Sequence, residues 1–299
     1  MSVDHGHGHP GARHRWRLAV SFALVAVFFV VELITALASG SLALLSDAGH
    51  IAADVVALGA ALVATRIATR PDRTGRRTYG SYRAEVFASG LAVLLMLGVA
   101  VYVVTEAVRR FGSEPDITAW PLLVVGALGL VVNLTALLLL RGGAAESLNV
   151  RGAYLEVLAD TAGSVGVLVA AGLVAASGDA IWDTVIALII GAFVVVRAVA
   201  LGRQVFAVLA QHVPASMRAE DVAAALVATE GVDDVHDLHL WTLTSGMNVA
   251  TAHLVTVDGA DAHDVLDRAR DVLRDKHGVA HATLQVEPRS HTGCDEVGW

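Results

Sequence analysis

His50 and Asp54 stand four residues apart, and so do Glu156 and Asp160. On a helix, positions i and i+4 sit one above the other on the same face, so each pair can aim two ligand atoms at a common centre. Imidazole and carboxylate both bind divalent transition metals, and two such faces brought together make a four-ligand cage. Interhelical hydrogen bonding alone is the plainer use of such side chains. Two acid-bearing pairs with the same spacing in separate apolar stretches are hard to obtain by chance, however. A carboxylate at the centre of a bilayer costs about 2.5 to 3.5 kcal/mol on insertion scales, so three of them approach about 8 to 10 kcal/mol. A bound dication, or bound protons, would remove much of that cost.

The elements that must carry these pairs are apolar. The chain has 299 residues, 55% hydrophobic and only 17% charged, with a mean hydropathy of +0.62. Soluble domains carry about a quarter charged residues, so the deficit points to lipid and to a polytopic membrane protein. Six apolar stretches, approximately 18–38, 42–65, 85–108, 117–140, 153–177 and 180–203, are each long enough to cross the hydrocarbon as a helix. The first is too long for a signal-peptide core and has no obvious cleavage site, so it is read as retained. Arg13, Arg15 and Arg17, then Arg70, Arg73, Arg76, Arg77 and Arg83, then Arg141 and Arg151 fall on one side of these spans. The positive-inside rule puts that side, and both termini, in the cytoplasm of a cell membrane. A formal charge of −8 argues against nucleic acid as the main partner, and a single cysteine, Cys294, leaves no intramolecular disulfide or CxxC site.

From about Pro214 the composition turns charged and periodic. Residues 217–230 have helical spacing and stop at Gly231, whereas VHDLHLWTLT and MNVATAHLVTV alternate apolar and polar around Ser245-Gly246, a hairpin signal. Asp261 to His277 repeats apolar residues at Val265, Leu266, Ala269, Val272 and Leu273, closes at Gly278, and is followed by the strand-like VAHATLQVE. The reading is a membrane all-α bundle of six transmembrane helices over 18–206 and an α+β domain, αββαβ with helices on one face of a small sheet, over 214–288. Residues 1–17 read as a disordered His-rich tail and 289–299 as a C-terminal tail. A domain of about 75 residues is thin for a self-sufficient core, so dimerisation or metal would support it.

Other polar residues have readings of their own. His236, His239, His253, His263, His281 and Glu287 are candidate metal ligands in the tail, and two antiparallel strands could bring His236 and His253 together; half-exposed strand histidines are the alternative. His5, His7, His9 and His14 form a cluster able to collect metal weakly, and Cys294 with His291 is a thinner signal. Asp47 shares the face of His50 and Asp54, as a proton carrier or a hydrogen-bonding neighbour of the cage. Glu32, Asn133 and Asp183 are read as polar glue between helices, and Glu106 as snorkelling to an interface. Gly49, Gly59, Gly163 and Gly166 would let helices approach closely, as short metal–ligand bonds demand. HIAADVVALGAALVA (50–64) also aligns with EVLADTAGSVGVLVA (156–170), a hint of duplication.

Four segments together resemble the cation diffusion facilitator family: SGSLALLSDAGHIAADVVALGAALVA (39–64), RRTYGSYRAEVFASG (76–90), SLNVRGAYLEVLADTAGSVGVL (147–168) and VHDLHLWTLTSG (235–246). The likeness extends over essentially the whole chain after residue 17. It implies six transmembrane helices, a cytoplasmic αββαβ domain of ferredoxin-like type, a homodimer, and export of zinc or related divalent cations in exchange for protons. The family's transport motif falls on His50, Asp54, Glu156 and Asp160. Glu156 stands where zinc transporters usually have histidine, and a third carboxylate makes the cage harder, toward manganese or ferrous iron; cobalt and cadmium are further alternatives. Zinc remains the first expectation, because raw affinity still follows the Irving–Williams order. The resemblance also implies metal positions at or near His236, His253, His263 and Glu287, with Gln285 where some relatives have a ligand, so that Zn2+ would be both substrate and a structural ligand of the tail. The loop 66–85 has no histidine, so no further zinc site is expected there.

Competition of a dication and protons for the same oxygens, with the site open alternately to each side, would give antiport across the lipid bilayer without covalent chemistry. An intramembrane metal-dependent hydrolase is the contrasting class. It lacks HExxH here, and four protein ligands would leave no open position for water. A cation channel would differ in showing no saturation and no dependence on a proton gradient.

Overall fold

The computed structural model describes residues 15–68, 78–79, 83–110, 118–144, 148–244 and 246–290. The apolar stretches are helices, each longer than its expected span: α1 (Arg15–Ser39), α2 (Leu42–Ala68), α3 (Ala84–Arg110), α4 (Ala119–Ala144), α5 (Leu148–Ser177) and α6 (Ile181–Leu209). Five segments among the described residues are long and apolar enough to cross a membrane: Ala19–Ser39, Ala84–Arg110, Ala119–Gly142, Tyr154–Ser177 and Ile181–Leu209. The remaining helix, α2, is the one that carries Asp47, His50 and Asp54.

The chain divides into two compact units, Met1–Val63 with Ala88–Gly202, and Ala64–Phe87 with Arg203–Trp299. In the first, all six helices feed one core, including Phe28, Leu44, Ile51, Val103, Leu122 and Val194. α4 packs along α5 and against α1. Val27, Ile34, Leu37, Leu94, Val101 and Leu138 are exposed, an apolar outer surface suited to lipid. Because lipid tails are as apolar as these side chains, helix association here rests on close packing and polar contacts. Asn133 Nδ2 donates to Ser164 Oγ at 3.2 Å, joining α4 to α5.

The second unit contains α7 (Ala219–Val227), β1 (Val232–Thr244), β2 (Met247–Thr256), α8 (Ala262–His277) and β3 (His281–Pro288). The order αββαβ is the one the periodicity predicts. α7 stops three residues short of the predicted Glu230, because Thr229 turns its hydroxyl back onto Ala225 O and its N–H onto Leu226 O, tightening the last turn. The sheet runs β1-β2-β3, antiparallel between β1 and β2 and parallel between β2 and β3, with α8 supplying the crossover that a parallel pair needs. Val222 and Leu226 of α7 and Val265, Ala269 and Leu273 of α8 share a core with Leu240, Ala252 and Leu254 of the sheet. Full burial of a leucine or valine is worth about 1.5–3 kcal/mol. Asp261 caps α8 by accepting from His263 N at 2.8 Å and Asp264 N at 3.2 Å, and Gly278 closes the helix at φ 65°.

Candidate metal centre

Asp183, in the first turn of α6, fixes where α2 begins. Its Oδ2 accepts from Leu42 N at 2.7 Å, and its Oδ1 from Ser41 Oγ at 2.6 Å and Ala43 N at 3.2 Å. These are the first amide groups of α2, which have no partner within their own helix, so a carboxylate from another helix serves as their cap. Arg110 of α3 stands 3.9 Å from the same carboxylate and donates to Gly40 O at 2.8 Å. Glu106 pairs with Arg110 at 3.3 Å.

Two glycines set how closely α2 is approached. A side chain at Gly163 of α5 would fall on the Asp47 carboxylate, and one at Gly49 would collide with Val99 of α3. Gly59 faces open space, so the close-approach reading does not apply there.

One turn and two turns beyond Asp47, α2 presents His50 and Asp54. His50 Nε2 lies 3.1 Å from Asp160 Oδ1 on α5 and 3.9 Å from Asp54 Oδ2. One ligand atom from each of the three lies within 4.8 Å of the others. His50 and Asp160 are buried and Asp54 is half-buried. A tetrahedral ion with ligands at about 2.1 Å separates those ligands by about 3.4 Å, so the spacing suits one dication shared by two helices.

Glu156 is placed differently. Its side chain is 49% exposed against 3% for Asp160, and its Oε2 is bonded to Arg197 Nη2 of α6. The same guanidinium contacts His50 Nε2 through Nη1 and stands 3.7 Å from Asp54 Oδ1. Arg197 is absent from the sequence-derived candidates. Its available signal is that it is the sole basic residue between Ile181 and Gly202. Asp47 and Glu32 are buried beside this group.

A second cluster lies on the sheet. His236 and His253 are paired across β1 and β2, with ring centroids 5.1 Å apart. Glu287 of β3 brings Oε2 to 3.6 Å from His236 Nε2 and Oε1 to 2.9 Å from His253 Nδ1, and the three form a possible metal-holding group. The pairing is shifted between His236 and His239, where Asp237 takes φ 51°, a bulge of the kind that re-aims side chains. His236 Nε2 is buried without a hydrogen-bond partner among the described residues, so the residues present fit a metal there. Gln285 donates to Glu287 Oε1 at 2.6 Å, which orients the carboxylate.

The structure does not bring His263 to this group. It sits in the first turn of α8, 81% exposed, 3.8 Å from Asp267, because the cap at Asp261 starts the helix there. His239 pairs with Asp237 at 2.9 Å, and His281 stacks edge-on against Tyr79. His5, His7, His9, His14, His291, Cys294 and the arginines at 13, 70, 73, 76 and 77 lie outside the described residues.

Comparison with known proteins gives a consistent picture. The family model for the cation efflux transmembrane domain matches residues 18–210, and that for the cation efflux protein cytoplasmic domain matches residues 214–289. The metal cation efflux system protein CzcD of Cupriavidus metallidurans is 40% identical over 96% of this chain and 90% of its own length. A cadmium, cobalt and zinc/H(+)-K(+) antiporter of Bacillus velezensis is 32% identical over 97% of this chain and 93% of its own. Zinc transporter ZitB of Pectobacterium atrosepticum is 32% identical over 98% of this chain and 91% of its own.

Proposed function

Since the chain belongs to the cation diffusion facilitator family of metal transporters, we propose that its principal cargo is Zn2+, exported in exchange for protons through His50, Asp54, Glu156 and Asp160. It is an integral membrane protein that moves divalent metal cations, a transporter rather than an enzyme. The hydrolase reading is thereby set aside.

The observation that carries the proposal is the convergence of His50, Asp54 and Asp160 from α2 and α5, with ligand atoms within 4.8 Å of one another inside an apolar bundle. A dication there replaces the hydration that these groups lose on burial, and protons arriving at the same oxygens release it. Binding of either cargo excludes the other, so alternating access converts a proton gradient into metal movement. We place six spans in the membrane, with α2 among them, both termini in the cytoplasm and the protein in the cell membrane as a homodimer. The basic loops and the match to a cytoplasmic-domain family support that arrangement. The domain boundaries 18–206 and 214–288 belong to the same proposal, as does a ferredoxin-like form for the αββαβ domain.

In the sheet cluster, His236, His253 and Glu287 would hold a structural Zn2+, which when bound would tie β1 and β3 to the central strand. A broader cargo range that includes cadmium and cobalt is favoured by one observation: a relative, 93% of whose length this chain covers, is named for cadmium, cobalt and zinc. Flux of Zn2+, Cd2+, Co2+, Mn2+ and Fe2+ into proteoliposomes tests the order. Zinc transport slower than manganese or iron would contradict the assignment.

A further inference from the structure

The cage already faces a cation. Arg197 of α6 directs Nη1 at His50, touching Nε2 and standing 3.4 Å from Nδ1, and directs Nη2 at Glu156, with Asp54 Oδ1 3.7 Å away. One guanidinium thus engages three of the four residues assigned to the dication. His50 Nε2, the atom that also meets Asp160 at 3.1 Å, is the nitrogen best aimed for metal. A metal bonded at about 2 Å to that nitrogen would need the space that Nη1 fills, and its charge would repel the guanidinium at close range in a weakly screened site. Arginine keeps its charge at any working pH and cannot leave by losing a proton. It can leave by moving: its side chain is 22% exposed, and that of its partner Glu156 is 49% exposed.

We propose that Arg197 is the resting occupant of the empty cage, a tethered counter-cation that an incoming dication must expel. The inference rests on the transport-site reading above. It explains how three acidic groups are tolerated in the bundle between cargoes, because the guanidinium neutralises part of their charge when no metal is bound. It also makes Arg197 a residue that sets affinity. A site whose binding-competent state is only fractionally populated binds more weakly by that fraction, and expelling the arginine is such a cost. Sufficiently weak binding is what a carrier needs in order to release its cargo.

The test is a Zn2+ titration of the purified full-length protein in detergent or nanodiscs. The component of the isotherm that Asp160→Asn removes is taken as the cage. In that component Arg197→Met should bind Zn2+ about tenfold or more tightly than the parent, and Arg197→Lys within about threefold of it. Arg197→Gln provides a second neutral variant should the methionine form fold poorly, with the same expectation. In Arg197→Ala, added guanidinium ion at millimolar concentration should compete with Zn2+, and it should not do so in the parent. Neutral variants that bind Zn2+ no more tightly, or more weakly, would overturn the proposal and make Arg197 a positioning residue for Glu156. An isotherm left unchanged by Asp160→Asn would overturn the transport site itself, a result distinguishable from the failure of the arginine proposal alone.

Discussion

His50 of α2 and Asp160 of α5 meet at 3.1 Å with both side chains buried, whereas Glu156, one turn before Asp160 on the same helix, is half exposed and bonded to Arg197. The four assigned ligands are therefore unequal. Asp160→Asn should lower the initial rate of saturable Zn2+ flux about 100-fold or more. Glu156→Gln should lower it about tenfold or less, in the range expected of a group that acts partly through its neighbours. Rates in proteoliposomes matched for protein content check the ranking, and equal losses in the two variants would contradict it.

Replacing the same glutamate by histidine alters ligand character rather than number. Glu156→His should raise the ratio of Zn2+ to Mn2+ flux about tenfold, since imidazole favours the borderline metal over the hard one. Paired flux measurements with the two ions decide this, and an unchanged ratio would mean that Glu156 does not take part in selection.

Asp183→Ala removes three hydrogen bonds at the start of α2 and leaves buried amide groups without partners. Loss of a buried charged cap costs about 2–3 kcal/mol. A lower melting temperature in detergent, with faster amide exchange at residues 42–43, is the expected result. Unaltered exchange there would show that the cap is dispensable.

What was legible in the sequence, and what was not, follows from the range of each interaction. The i,i+4 spacing of His50 with Asp54 and of Glu156 with Asp160 is local, so the helical faces could be read directly. The hairpin was equally local: alternation broken at Ser245-Gly246 predicts β1 and β2, and their pairing sets His236 opposite His253. Arg197 escaped because its partners, His50 and Glu156, lie 147 and 41 residues away and a lone arginine in an apolar run has no spacing to read. From the sequence Asp183 is polar glue between helices; its role as a cap for α2 depends on contacts across about 140 residues. His263 looked like a ligand by resemblance, yet the Asp261 cap places it in a helical first turn away from the sheet cluster.

The α8 cap gives a pH prediction. Backbone N–H groups of Asp264 and His263 hold the Asp261 carboxyl below its usual range. A group whose folded pKa is depressed contributes stability that is present above its unfolded pKa, about 3.9, and is lost as pH falls through the folded value. Asp261→Asn keeps a capping oxygen without the titration, so the acid-induced loss of protection at the first α8 amides should flatten below about pH 4. Hydrogen exchange of the full-length protein between neutral and acid pH checks this, and an identical acid dependence in the variant would contradict it.

In the sheet cluster, Zn2+ should protect the β1 and β3 amides from exchange in the parent, and His253→Ala should abolish that protection while leaving the cage component of the isotherm intact. Protection that survives the substitution would assign the metal elsewhere.

The most direct test of metal–proton exchange through α2 and α5 uses proteoliposomes with an acidic lumen diluted into neutral buffer containing Zn2+. Molecules with the cytoplasmic face outward should take up zinc with a zinc-dependent rise in lumenal pH, and collapsing the gradient with a protonophore before zinc is added should abolish accumulation of zinc above its external concentration. Asp54→Ala and Asp160→Ala should show neither flux. Zinc uptake indifferent to the gradient, or proceeding at the parental rate in those two variants, would contradict the account.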